Sequence, residues 1–128
     1  MKPITSEWVR KAEADFATAQ REFAVKIDAN YDAVCFHSQQ AAEKFLKARL
    51  QEAEIIFARI HDLTVLLDNL VTIEPDWENL RPQLHSLTAY AVEYRYPGES
   101  SEKPEAEEAL EICRIVRRTV RASLELRD

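Results

Sequence analysis

Apolar residues recur along this chain at intervals of three and four, the spacing that returns side chains to one side of a helix, and no strand-like alternation of any length is present. The first such stripe is Trp8, Ala12, Phe16, Ala19, Phe23 and Ile27, about six turns long, with Thr5 or Ser6 available as its N-cap. Residues 28–30 interrupt it. Asp28 or Asn30 there offers a side-chain acceptor to the free amides of a second helix, predicted from residue 31 to at least 50, with residues 51–54 as its frayed end or the start of a loop. After Ile55, Ile56 and Phe57, Asp62 is placed to cap a short third helix that runs to about residue 71 on Leu63, Leu66, Leu67 and Leu70. Residues 72–77 contain Pro75 and read as a connection. Asn79 then caps a fourth helix that admits Pro82 only in its first turn and carries Leu80, Leu84, Leu87, Ala91 and Tyr94 to a stop at Pro97 and Gly98. Residues 97–104 have loop composition, and a fifth helix over about residues 105–126 buries Ala109, Cys113, Val116, Val120 and Leu124. The pattern predicts one all-α domain over residues 1–128, an antiparallel up-and-down helical bundle of four long helices and one short one.

The second helix carries two patterns at once. Val34, Cys35, Ala41, Ala42, Phe45 and Leu46 fall on one side, while His37, Gln40, Glu43, Lys44 and Lys47 gather on the other. That polar row reads either as a solvated surface, with Glu43 and Lys47 as helical neighbours, or as a binding face whose ammonium, amide and imidazole groups suit a small polyanion. The charges between the stripe residues of the first helix, Arg10, Lys11, Glu13, Asp15 and Glu22, read as simple solubility. Arg114, Arg117, Arg118 and Arg121, late in the fifth helix, complement its dipole, with an RNA-facing strip as the alternative.

Composition narrows the choices. A formal net charge of −6 argues against broad nucleic-acid binding and leaves room only for a local basic pocket. Cys35 and Cys113 lie within apolar helical patterns, with no CxxC, and read as free, reduced and buried in a cytoplasmic protein. No apolar run is long enough for a membrane span, and residues 1–6 lack a targeting profile. His37, His61 and His85 are too dispersed for a local metal site, and one glycine cannot build the common phosphate loops. Neither a metal nor a cofactor is expected.

Three pieces, HSQQAAEKFLKA from His37, IHDL at Ile60 to Leu63 and YRYP at Tyr94 to Pro97, together resemble the HEPN family, small helical domains associated with nucleotides. The resemblance implies a homodimer and a nucleotide such as ATP as ligand. It also implies work beside a separate minimal nucleotidyltransferase, in a toxin–antitoxin-like or nucleotide-transfer system. It adds Arg95 to the candidate nucleotide site of His37, Gln40, Lys44 and Lys47. Glu43, His61, Asp62 and Tyr96 join as structural or ligand-contacting residues, with Asp62 as cap and His61 at the interhelical turn. Ribonuclease members of the family carry an arginine and a histidine about four to six residues apart, to activate a 2′-hydroxyl and stabilise phosphate charge. Arg81 and His85, with three residues between them, and Arg59 with His61 both fall outside that spacing. The expectation is therefore a module with no catalytic residue; the alternatives are a purely structural homodimer and a ribonuclease using Arg81 and His85. Trp8, Phe36 and Trp77, off or at the edge of the stripes, are candidate interface aromatics.

Overall fold

The structure, a computed structural model, describes residues 1–127. Helices α1 (Pro3–Phe23), α2 (Tyr31–Glu52), α3 (Leu63–Leu70), α4 (Arg81–Glu93) and α5 (Lys103–Ser123) account for the fold, with a 3₁₀ segment at Pro75–Leu80 and no strand among the described residues. No helix among them is long and apolar enough to cross a membrane.

Pairings between elements give the directions. Thr5 meets Glu52, Asp15 meets His37 and Lys44, and Glu22 meets Asn30, so α1 and α2 are antiparallel. Asp32 meets Ser101 and Arg49 meets Ser123, so α5 runs with α2; Tyr94 and Arg95 return to the level of Phe36 and His37, so α4 runs against it. The four long helices therefore alternate in direction as the sequence predicts. Residues 53–62 double back along α2 before α3 starts.

α2 touches each of the other four helices and is accordingly buried nearly all round. Val34, Ala41, Ala42, Phe45, Leu46 and Leu50 join Leu63, Leu66, Leu67 and Leu70 of α3, Leu84 and Leu87 of α4, and Cys113, Val116 and Val120 of α5 in the core. Burying one such Leu or Phe contributes about 1.5–3 kcal/mol.

Several element ends differ from the sequence expectation. α1 begins at Pro3, whose missing N–H costs nothing in a first turn, and neither Thr5 nor Ser6 caps it. Thr5 is instead fully buried and donates its hydroxyl to Glu52 (2.9 Å). Ile27 lies beyond the helix and is exposed, because the chain reverses through Asp28 at φ 54°. Asn30, not Asp28, caps α2 by accepting from Ala33 N–H. α2 stops where Glu54 takes φ 59°, a left-handed position usually given to glycine, and Ile55 N–H closes on the Leu50 carbonyl. Asn79 does not cap α4; it lies within the 3₁₀ segment, from which α4 continues with Pro82 in its first turn. α5 starts at Lys103, because Glu102 and Glu105 form a reciprocal capping box over Pro104. Trp77 is buried rather than available at an interface, and Trp8 packs edge-on against Phe57.

Candidate functional site

The polar row on α2 is divided among its neighbours. Lys47 Nζ donates to Glu43 Oε2 at 2.9 Å, inside the bundle, beneath the rings of Trp8 and Phe57. Glu43 also takes Gln39 Nε2 (3.2 Å) and the exposed ring of His61 (Nδ1, 3.0 Å), and Gln39 in turn donates to the His61 carbonyl (2.9 Å). Gln40 Nε2 donates to Gln39 Oε1 (3.0 Å). Glu43, His61 and Gln40 thus belong to one network that ties the returning segment 53–62 to α2. Neither reading of the sequence anticipated a buried Lys47, because a period of three and four cannot show how many neighbours a helix will have.

Lys44 and His37 are gathered by a residue of α1. Asp15 accepts from Lys44 Nζ at one oxygen and bonds His37 Nδ1 (2.9 Å) at the other. Asp15, read from sequence as a surface charge, is therefore an organising residue. The same correction applies to Glu13, which takes Arg117 Nε (2.6 Å) and Arg121 Nη1 (3.0 Å). With Arg114 on Glu111 and Arg117 and Arg121 on Glu13, the basic strip of α5 is largely ion-paired within the chain.

His37 and Arg95, far apart in sequence, meet at one cleft of about 330 Å³ between the first turns of α2 and the end of α4. Its walls are Phe36, Tyr90 and Tyr94, with Asn30 and Asp32 at the α2 start. Tyr90 and Tyr94 stack with centroids 5.9 Å apart, one helical turn from each other, and the Arg95 guanidinium lies 5.6 Å from the centre of the Phe36 ring. Burial pushes the Tyr90 hydroxyl up to about 12, with its hydrogen bond to Glu108 (2.9 Å) acting in the same direction. Asp32 accepts both the N–H and the hydroxyl of Ser101 at Oδ1 (2.7 and 2.6 Å), which anchors the segment following Arg95. Arg95 has no carboxylate partner among the described residues. Tyr96 is exposed beside it. The sequence reasoning missed Tyr90 and Tyr94 as lining residues and took Phe36 for an interface aromatic; the i,i+4 tyrosines were the one signal, and of the two only Tyr94 was placed, in the apolar stripe.

Asp62 caps α3 as predicted, accepting Thr64 N–H (2.9 Å) and hydroxyl (2.7 Å), bonds that hold its carboxyl below the ordinary range. Arg81 and His85 share a shallow groove with Thr64, Glu78 and Pro82. There Arg81 is clamped by Glu78 through two bonds (2.7 and 2.8 Å) and by Asp68 (2.8 Å).

Among the described residues, no group of three or more His, Cys, Asp or Glu side chains is arranged to hold a metal. In comparison with known proteins, a family model described as HEPN domain matches residues 5–123. Two solved structures are similar along nearly their whole length. TT1696 from Thermus thermophilus is 26% identical, with 92% of this chain and 96% of that one covered and a TM-score of 0.74. ST0689, an archaeal HEPN homologue, is 24% identical, with 96% and 98% covered and a TM-score of 0.75, a likeness of fold. No curated protein matches the chain.

Proposed function

The chain belongs to the HEPN domain family, and we propose that within it this protein is a nucleotide-binding module without chemistry of its own, acting beside a separate minimal nucleotidyltransferase. The observation that carries the reading is the meeting of His37 and Arg95 at a cleft with three aromatic walls. Aromatic faces stack bases at about 1–3 kcal/mol each. An arginine with no carboxylate partner among the described residues supplies charge-assisted donors to phosphate, and the positive end of the α2 dipole lies on the same side. Lys44, Gln40 and Lys47, proposed from sequence as ligand contacts, serve in this reading as the supports behind the wall, Lys44 through Asp15. A toxin–antitoxin-like or nucleotide-transfer role, a homodimeric state and a cytoplasmic location belong to the same proposal. The exposed Phe36 in the cleft wall and the exposed Tyr96 next to Arg95 favour as second reading a scaffold that contacts only protein.

Calorimetric titration with ATP separates the two. The nucleotide reading expects saturable binding that Arg95→Ala or Tyr94→Ala weakens about tenfold or more, the loss of one charge-assisted contact or one stacking face. No heat at millimolar ATP, or equal binding by both variants, overturns it in favour of the scaffold. Co-elution with a small nucleotidyltransferase encoded in the neighbouring reading frame tests the partner.

A further inference from the structure

Asp15 does more than neutralise Lys44. Its two oxygens have separate duties, Oδ1 on His37 Nδ1 (2.9 Å) and Oδ2 on Lys44 Nζ. A carboxylate has no proton to offer, so the bond at Nδ1 is donated by the imidazole. A neutral imidazole carries a single N–H; with that proton at Nδ1, Nε2 is left as a lone-pair acceptor. Asp15 stands on α1 and is not among the residues that line the cleft, whereas His37 is. With Nδ1 turned to Asp15, Nε2 is the ring nitrogen left for a ligand in the cleft that His37 lines. Phe36 meets the ring edge-on, with planes at 84° and centroids 5.2 Å apart, and restrains its tilt.

Two of the other polar groups around the aromatic walls lean the same way, while the Asn30 amide and the Tyr94 hydroxyl keep a proton to donate. Tyr90 gives its hydroxyl proton to Glu108, and Asp32 offers only carboxylate oxygens. Arg95 is the one lining group that carries positive charge at every working pH. The cleft therefore combines acceptors at His37 and Asp32 with a permanently charged donor at Arg95.

Resting on the nucleotide reading above, we infer that Asp15 is a positioning residue that holds His37 as the Nδ1–H tautomer, and that the resulting Nε2 acceptor selects a purine carrying an exocyclic amine. An amine donor stacked on the tyrosine pair satisfies Nε2. A purine without it places only acceptors on that edge and leaves Nε2 desolvated and unpaired, the kind of mismatch by which binding sites discriminate most strongly.

The probes are ATP and purine riboside 5′-triphosphate, which keeps the ring, ribose and phosphates and lacks the amine. At about pH 8, where imidazole is ordinarily neutral, the wild-type protein is expected to bind ATP about tenfold more tightly or better. His37→Phe, which keeps an aromatic ring and removes the acceptor, should bring the ratio close to one. Asp15→Asn makes the sharper test. Lys44, a donor only, claims the amide oxygen, and the amide NH₂ then faces His37 Nδ1, which forces the proton to Nε2. Nitrogen-15 NMR of the histidine rings should show the Nδ1–H form in the wild type and the Nε2–H form in Asp15→Asn, and the variant should lose the preference for ATP. A wild-type protein that binds both nucleotides equally, or shows the Nε2–H form, overturns the inference while the nucleotide reading stands. If neither nucleotide binds, the ligand assignment falls together with that reading, and the NMR spectrum still decides the role of Asp15.

Discussion

Lys47 Nζ lies 2.9 Å from Glu43 Oε2 in the interior of the bundle, with the two side chains 7% and 4% exposed. The spacing is the i,i+4 arrangement of an ordinary surface pair, yet both charges have left water, where an ion pair and the hydrogen bonds around it stand or fall together. Removing one partner leaves the other uncompensated. Lys47→Met alone is expected to lower stability by about 2–4 kcal/mol in urea denaturation, and the double variant Glu43→Gln, Lys47→Met should recover most of it. A single variant that costs under about 0.5 kcal/mol would show the pair to be hydrated.

Asp62 tests the cap. Asp62→Ala should cost about 1 kcal/mol and reduce amide-exchange protection across α3, while Asp62→Asn retains most of both. Because its Thr64 bonds hold the Asp62 carboxyl below the ordinary value of 3.8, this contribution is present above that pH and is lost as pH falls through the lowered folded value.

Glu13 joins the first and last helices through Arg117 and Arg121, and Arg117 also lies 5.2 Å from the centre of the Phe16 ring. These groups are partly solvated, so Glu13→Gln should cost only about 1 kcal/mol, and less in molar salt. A loss that does not respond to salt would point to packing instead.

Both cysteines are sealed in the core, and burial raises Cys35 from 9.0 to about 11 and Cys113 to about 12. Thiol reagents at neutral pH should therefore modify neither until the chain unfolds, and then both. The sign of the pH effect follows. The unfolded chain loses its thiol protons from about pH 9, ahead of the folded one, so stability is full below pH 9 and declines between 9 and about 12. Replacing Cys35 and Cys113 by Ala should make that decline shallower, measured as urea midpoints across the range, with the raised Tyr90 hydroxyl keeping part of it above about pH 10.

Arg81 is held by Glu78 and Asp68 beside His85, so phosphate would have to displace two carboxylates to reach it. Incubation of the protein with single-stranded RNA should give no cleavage. Cleavage that His85→Ala abolishes would reinstate the ribonuclease reading.

The amino-acid pattern by itself determined the helices, because their existence follows from local periodicity and from caps such as Asn30 and Asp62 that act within a few residues. It also determined most of the stripe residues of α2 to α5 and the burial of both thiols, since an apolar face has nowhere else to go, although α5 ends at Ser123 and leaves Leu124 only partly buried beyond it. What the polar residues do was decided only in three dimensions. Asp15 and Glu13 looked like solubility charges because their partners are 22, 29, 104 and 108 residues away. Lys47 looked exposed because one helix read alone has a free side, whereas α2 packs against four neighbours and must satisfy its polar groups internally. His37 and Arg95 could be named from the sequence; that they share a cleft with Phe36, Tyr90 and Tyr94 depends on which faces of α2 and α4 meet and at what level, which the alternating directions alone do not fix.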